Sequence, residues 1–317
     1  MTFGNTGINL MDFQNLIKQQ LQHNQNKSLF YELKNEQLIL SPSNLTFNVL
    51  IRKANDISDF IQTAYKDDTL RHLINYMADK TMNLFISVNQ FLNFSTQKHY
   101  ELRKIYTNLV EKVCMIVNKK ETYPQDVEQL LNSHYKSLQR FLLESNGNEI
   151  FKKYRNSPDL PEIKCAEYTS EFQMKLLGIN LSTIKEPLLD VGCGKQASFV
   201  TFLKDHRIEA YGLDRGVQSI SGVSQVDWLD YNFLPDTWGT IISHMAFSNH
   251  FMHNHLRQDG DYETYAEKYM EIVRSLKIGG SFIYAPSLPF IEEVLSKANI
   301  GYIVNATPNV TKITRIT

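Results

Sequence analysis

The sequence predicts an all-α domain over residues 1–157, followed by an α/β domain over residues 158–317. Three observations predict this division. Apolar residues recur at helical spacing from about Met11 to Phe151. Two prolines then interrupt "RNSPDLPEIKC" at 155–165, and short strands alternate with helices in the remainder. With 317 residues, 42% of them hydrophobic, the chain is long enough for two cores.

The N-terminal half has the pattern of amphipathic helices. Segments such as "LRHLINYMADKTMNLFISVNQFL" place apolar residues at i, i+3, i+4 and i+7, which gives each helix one buried face. The clearest breaks are "SPSN" at 41–44 and "KKETYPQD" at 119–126. We predict a bundle of roughly six helices joined by short loops. Such a bundle would cap a cofactor, select substrates or mediate oligomerisation, and these roles stay open.

The C-terminal half alternates between strands and helices. The predicted strands are 187–191, 210–214, 222–226, 240–244, 281–285, 301–306 and 311–317. The predicted helices are 167–177, 197–205, 262–276 and 289–298, with "KIGG" at 277–280 as a helix stop. This alternation implies a parallel sheet covered on both faces. Only a short turn separates the last two strands, so they should form an antiparallel hairpin at one edge.

Charge and composition narrow the classes of partner. Lys and Arg total 33 against 34 Asp and Glu, so no overall basic field favours nucleic acid or an anionic membrane. "MTFGNTGINL" lacks the pattern of a signal peptide, and no apolar run approaches the ~20 residues that span a bilayer. Three scattered cysteines suit a reducing compartment. We expect a cytoplasmic protein without a membrane partner, and homo-oligomerisation stays open.

The stretch "LLDVGCGKQAS" at 188–198 indicates a ligand site. An apolar strand runs into Asp190, and Gly192 and Gly194 follow. Ligands of open parallel sheets bind at the carboxyl ends of the strands, where glycine lets the backbone approach closely. Asp214 ends the next strand, about 20 residues on, where a carboxylate can accept hydrogen bonds from ribose hydroxyls.

A second pair of candidate residues follows the third predicted strand. Asp227 has the chemistry to accept a hydrogen bond from an adenine amino group, and Trp228 to stack on the ring. The alternative is that Trp228 belongs to the core and Asp227 to a solvated turn. Together with the glycine turn, the pair favours a nucleotide-like cofactor.

Four stretches together resemble a known family. They are "LLDVGCGKQASF", "AYGLDRG", "QVDWLDYNFLPDTWGTIISHMAFSNHF" and "MEIVRSLKIGGSFIYAP". In order and spacing they are similar to the motifs of class I S-adenosylmethionine-dependent methyltransferases, over about Ala166 to Thr317. The resemblance implies a Rossmann-like seven-stranded sheet, S-adenosyl-L-methionine as cofactor, and a terminal hairpin that NAD-binding domains lack. The N-terminal half shows no such resemblance.

The resemblance also implies roles for single residues. The turn would lie against the methionine part of the cofactor, Ser243 and His244 would flank the transferred methyl group, and Tyr168 would close over the cofactor. The implied cofactor-binding residues are Tyr168, Asp190, Gly192, Cys193, Gly194, Asp214, Arg215, Asp227, Trp228 and Ser243.

The sequence also departs from the family pattern. Gln196 stands where a third glycine is common, and the acid usual before the fourth strand is absent from "TWGTII". No Asp/Asn-Pro-Pro-aromatic motif follows that strand, which disfavours methylation of nucleic-acid amino groups.

Four histidines follow the fourth predicted strand in "SHMAFSNHFMHNHLRQDGD", at 244, 250, 253 and 255. Methyl transfer to oxygen or nitrogen needs a base with a pKa near the working pH, so we predict His244 or His250 as a catalytic base. One alternative is a metal held by His250 and His253, at i and i+3, with Asp259 and Asp261 nearby. Another is that these are polar residues of a loop and helix cap. We predict no metal site.

These observations predict a methyltransferase that acts on a small molecule or a peptide. Three alternatives stay open: a non-catalytic binding or regulatory protein, an RNA or protein methyltransferase that docks through its helical half, and transfer of another group of the sulfonium cofactor.

Overall fold

The computed structural model describes residues 7–31, 39–119, 121–163, 167–217, 219–298 and 301–317. The chain divides into two compact units, Met1–Lys164 and Cys165–Thr317. The first unit is helical and the second contains the sheet. Within the described ranges, no helix is long and apolar enough to cross a membrane.

The segment at 157–163 is hydrogen-bonded to the helical unit. The Ser28 N–H donates to the Pro158 carbonyl at 2.7 Å, and the Ile163 N–H donates to the Val88 carbonyl at 2.7 Å. The compact units therefore divide after residue 164, whereas the sequence suggested a division after residue 157.

The first unit contains six α-helices within its described residues. They are α1 (Leu10–Asn24), α2 (Asn44–Arg52), α3 (Ala54–Ala64), α4 (Thr69–Val88), α5 (Thr96–Val117) and α6 (Pro124–Asn146), followed by a 3₁₀ helix over Glu149–Asn156. Ser43 and Ser95 cap α2 and α5 by accepting backbone N–H bonds, and Pro124 starts α6. The all-helical prediction for this half is confirmed.

The second unit alternates as the sequence predicted. Its elements are α7 (Ser170–Leu177), β1 (Leu188–Val191), α8 (Ser198–Asp205), β2 (Ala210–Leu213), β3 (Val223–Ser224), β4 (Trp238–His244), α9 (Phe247–Leu256), α10 (Tyr262–Arg274), β5 (Leu276–Ala285), α11 (Pro289–Ala298), β6 (Tyr302–Ala306) and β7 (Thr311–Arg315).

The seven strands form one sheet in the order β3-β2-β1-β4-β5-β7-β6. Strands β1 to β5 pair in parallel, and β7 is antiparallel to both β5 and β6. The predicted seven-stranded sheet with a terminal antiparallel hairpin is confirmed. The chain reverses its direction of progress between β1 and β4, so the switch point lies at their carboxyl ends.

Alternate residues of the inner strands enter two hydrophobic cores. Leu189 and Ile241 belong to one core cluster, while Leu188 and Ile242 belong to the other. All four are at most 2% exposed. This is the pattern of a parallel sheet covered on both faces. Packing on both faces holds the carboxyl ends of the strands in position at the switch point.

Two boundaries differ from the sequence prediction. The helix predicted from residue 262 to 276 ends at Arg274, and "KIGG" lies within β5 instead of stopping a helix. Leu276 already pairs with Trp238, and after a register shift Ser281 pairs with Thr240. The first part of β5 contains two glycines and lies beside this irregularity in the pairing. From the sequence alone, such a segment has the pattern of a turn.

The helix predicted over 167–177 begins only at Ser170. The Thr169 hydroxyl caps it by accepting from the Phe172 N–H at 3.3 Å. Tyr168 therefore lies before this helix and not within it. A further helix, α9, follows β4 where the sequence indicated mainly a loop.

Candidate functional site

The turn after β1 needs both of its glycines. Gly192 and Gly194 have φ angles of 83° and 77°, in the left-handed region that favours glycine. A Cβ on Gly192 would lie 2.3 Å from the Ala246 Cβ and 3.2 Å from the Trp228 ring. The Gly192 N–H donates to the Leu213 carbonyl at 2.8 Å. The turn is thus held at the carboxyl ends of β1 and β2.

Asp214 places its carboxylate on this turn. One oxygen accepts from the Gly194 N–H at 3.2 Å, and the other accepts from the Gly216 N–H at 2.7 Å. The structure therefore brings Asp214 and the glycine turn together as the sequence predicted. Both oxygens retain lone pairs for further donors.

Asp190 is 3% exposed beside the turn. Burial, and after it the negative charge of Asp214, raise the pKa of Asp190 to about 8. At neutral pH the side chain is therefore mainly protonated. A cation bound at the turn would favour its ionised form.

Replacing Asp190 should remove a pH dependence of stability. Unfolded Asp190 loses its proton near pH 4, whereas the folded form keeps it up to about pH 8. The free energy of unfolding therefore falls as pH rises through this window. Asp190→Asn should gain stability over the wild type between pH 5 and 8, by at most about 4 kcal/mol.

Thermal unfolding at pH 5 and pH 8 measures this effect. The control is Asp205→Asn, which removes an exposed carboxylate at the end of α8. An advantage of Asp190→Asn that is equal at both pH values would contradict the assignment.

Cys193 is a packing residue of the turn. Its sulfur would lie 2.9 Å from a Cβ on Gly212, so the thiol occupies the space above β2. Burial and then the charge of Asp190 raise the pKa of the Cys193 thiol, which keeps it protonated. The side chain is therefore unsuited to act as a nucleophile.

Glu167 is a site residue that the sequence analysis missed. Its Oε1 lies 3.5 Å from the position of a Cβ on Gly194. With Asp190 and Asp214 it makes three carboxyl groups around the turn, and all three raise the pKa of Cys193. No motif marks Glu167, because its segment reaches the turn only through the tertiary fold.

On the next strand end, Asp227 faces Arg215. The Arg215 guanidinium lies 3.7 Å from an Asp227 carboxylate oxygen, and the Leu229 N–H donates to the other oxygen at 2.9 Å. Burial raises the pKa of Asp227, and the Arg215 charge opposes this shift. The pair lies next to the Asp214 segment, where an adenosine moiety was predicted.

Trp228 lies in the core, as the alternative interpretation held. It is 5% exposed and packs edge to face against Phe247 and His250, with ring centroids 6.3 and 4.9 Å away. The predicted stacking on adenine would require this packing to open. In the structure the indole supports the turn beneath Gly192.

Ser243 and His250 are also interior residues. The Ser243 hydroxyl donates to the Val191 carbonyl at 2.9 Å and accepts from the Phe247 N–H at 3.0 Å. Its side chain is fully buried and joins β1 to α9. His250 is 4% exposed, and burial lowers its pKa well below the ordinary value. A base must reach its substrate, which disfavours His250.

His244 ends β4 within an aromatic cluster. Its ring centroid lies 4.6 Å from that of Tyr168 and 5.9 Å from that of Phe172. His244 is half-buried, and burial lowers its pKa below 6.5. A neutral imidazole at pH 7 can accept a proton. Phe172, 47% exposed, was missed because a single aromatic residue on a short helix carries no sequence signal.

The residues of the alternative metal site do not converge. Among the described residues, no three His, Cys, Asp or Glu side chains lie close enough together to hold a metal ion. His255 stacks on Phe290 with centroids 3.7 Å apart, and Asp259 pairs with Arg257 at 2.7 Å.

No protein-family model matches the chain, and neither does any curated protein. Among solved structures, a putative S-adenosylmethionine-dependent methyltransferase from Listeria monocytogenes matches with 14% identity and a TM-score of 0.31, over 45% of this chain and 95% of that one. The N-methyltransferase NodS from Bradyrhizobium japonicum matches with 14% identity and a TM-score of 0.33, over 46% and 96%. A methyltransferase from Bacteroides fragilis in complex with S-adenosyl-L-homocysteine matches with 14% identity and a TM-score of 0.30, over 45% and 77%.

The C-terminal unit has a seven-stranded sheet that ends in an antiparallel hairpin, as the resemblance to S-adenosylmethionine-dependent methyltransferases implies. In this sheet β7 lies between β5 and β6 and is antiparallel to both.

Proposed function

We propose that this chain is an S-adenosylmethionine-dependent methyltransferase that acts on a small molecule or a peptide. The observation that carries the proposal is the Asp214 carboxylate hydrogen-bonded to the Gly194 N–H, at the switch point of the sheet. With this arrangement Asp214 would accept hydrogen bonds from the ribose, next to a glycine turn whose backbone a ligand can approach closely.

The carboxyl groups suit the charge of this cofactor. The cofactor supplies a methyl group on a positively charged sulfonium. Asp214 and Glu167 put negative potential around the turn, which favours a cation there, and a bound cation would in turn favour the ionised form of Asp190. Asp214 would hold the ribose hydroxyls, and the Arg215–Asp227 pair would lie on the adenosine side.

His244 would be the catalytic base. Its imidazole is neutral at pH 7 because burial lowers its pKa, so it can take the proton that an O–H or N–H acceptor releases. Tyr168 and Phe172 lie against the imidazole and would exclude water from the acceptor. The overall charge of −1 supports a small or peptidic acceptor over RNA.

Calorimetric titration with S-adenosylhomocysteine tests the cofactor site. We expect the wild type to bind S-adenosylhomocysteine with micromolar affinity and not to bind NAD. Asp214→Ala should weaken binding by roughly 10- to 100-fold, because charge-assisted hydrogen bonds contribute about 1.5–3 kcal/mol. Asp205→Ala, an exposed carboxylate on α8, is the matched control and should bind like the wild type.

Two results would contradict the proposal. Absence of S-adenosylhomocysteine binding by the folded wild type would favour a non-catalytic protein that keeps the fold. Unchanged affinity in Asp214→Ala would remove the ribose role of Asp214.

A further inference from the structure

The helical unit contains an apolar cavity of about 230 Å³. Apolar residues form most of its lining, among them Leu16 of α1, Met77 of α4, Leu138 of α6 and Phe151 of the 3₁₀ helix. An engineered apolar cavity of about 150 Å³ stays dry and binds benzene. This cavity is larger, so it has room for an apolar ligand.

Several polar groups in the lining are bonded to each other, whereas the Nδ2 of Asn89, another lining residue, has no hydrogen-bond partner among the described residues. The Gln20 and Asn24 amides donate to the Tyr135 hydroxyl at 3.1 and 2.9 Å. Thr81 and Tyr106 share a hydrogen bond between their hydroxyls. A water molecule needs two to four polar partners, so an alkyl chain suits this space better.

A second pocket, of about 330 Å³, adjoins this cavity. Leu109, Leu130 and His134 line both. Lys104 and Lys112 also line the second pocket, which we call the lysine pocket. None of the described residues that line it is acidic. The combination is amphipathic, because an apolar cavity shares three lining residues with a pocket that carries two lysines.

The positive charge of the lysine pocket is not neutralised by a described partner. The Lys112 ammonium donates to the Ser133 hydroxyl at 3.2 Å, and the Lys104 ammonium lies over the Tyr100 ring at 4.6 Å. Neither lysine forms a salt bridge with a described acidic side chain. Burial and then the Lys112 charge lower the pKa of His134 to about 3, so the histidine between the two spaces is neutral.

We propose that the helical unit binds a medium-chain fatty acid, with its alkyl chain in the apolar cavity and its carboxylate at the lysine pocket. A methylene group is close in size to a water molecule, whose share of the liquid is about 30 Å³. The cavity volume therefore fits a chain of roughly eight carbons, and the carboxylate matches the two lysines. This inference does not depend on the proposed methyltransferase activity.

Calorimetric titration of the delipidated full chain with decanoate, decanol and acetate tests the proposal. Decanoate should bind at least tenfold more tightly than decanol, and acetate should not bind. Lys104→Gln combined with Lys112→Gln should weaken decanoate binding roughly tenfold or more and leave decanol binding unchanged. The matched control is Lys66→Gln, an exposed lysine beyond the end of α3, which should not change either affinity.

Filling the cavity should abolish decanoate binding, because the alkyl chain would have no space. Val110 lines the cavity and is half-buried, so Val110→Phe puts a ring into that space. If this variant does not fold, decanoate carrying a diazirine should label peptides of α4, α5 and α6 in the wild type. Three results would overturn the proposal. They are no decanoate binding by the folded wild type, wild-type decanoate affinity in the Lys104→Gln/Lys112→Gln double variant, or labelling confined to the second unit.

Discussion

His244→Ala should lower the rate of methyl transfer by roughly 100- to 10,000-fold, the usual contribution of a positioned base. The affinity for S-adenosylhomocysteine should stay within about twofold of the wild type. His244 ends β4 against Tyr168 and Phe172, and it is half-buried at a strand end of the switch region. Its loss removes a proton acceptor while the hydrogen bonds between Asp214 and the glycine turn remain.

The pH dependence gives an independent test of the same residue. Burial lowers the pKa of His244 below 6.5, so the wild-type rate should rise with pH through a value below 6.5 and level off by neutral pH. This acid limb should disappear in His244→Ala.

The rate would be measured as transfer of labelled methyl from S-adenosylmethionine to a panel of phenol, amine and peptide acceptors. His206→Ala, an exposed histidine after α8, is the control. An equal loss of rate and of S-adenosylhomocysteine affinity would make His244 a cofactor-binding residue.

The glycine turn and Asp214 were predictable from the sequence for a physical reason. Adjacent parallel strands end at the same edge of a sheet, so residues that follow β1 and β2 must lie close together. The pairing of Asp190 with Gly212 in the strand register puts Asp214 just beyond Gly212, and the Gly194 N–H reaches it. Local sequence patterns were enough to predict that these residues lie together, because the geometry of the sheet determines which strand ends are adjacent.

Burial was harder to predict at Trp228, Ser243 and His250. Each has a chemistry that suits a site, and each follows or ends a strand. Their burial depends on α9, which packs Phe247 and its neighbours against the carboxyl ends of the strands. The polar residues of that segment did not indicate a helix, so side chains expected to contact the cofactor or the substrate are buried.

Glu167 and Phe172 lie near the candidate site, although the sequence did not predict them as site residues. Neither belongs to a motif, yet one approaches Gly194 and the other approaches His244. Contacts between segments far apart in the chain leave no periodic signal, so only the fold reveals them. The aromatic and acidic surroundings of the turn are therefore a finding of the structure.

Gly192→Ala should weaken S-adenosylhomocysteine binding by more than tenfold and destabilise the second unit. Two costs add at this position. The φ of 83° costs an L-residue about 1–2 kcal/mol. The new methyl group would also lie 2.3 Å from the Ala246 Cβ, so the turn or the start of α9 must move. Because the same turn holds Asp214, movement there should lower cofactor affinity by more than tenfold.

Two further variants separate these costs. Gly178→Ala carries a similar strain, with a φ of 63°, but its methyl group would meet no atom within 4 Å. It should therefore destabilise by about 1–2 kcal/mol and bind S-adenosylhomocysteine like the wild type. Adding Ala246→Gly to Gly192→Ala removes the overlap but keeps the strain, so it should restore part of the affinity and melting temperature. If this double variant binds no better than Gly192→Ala, the close approach of the turn to α9 is not what holds the cofactor site in shape.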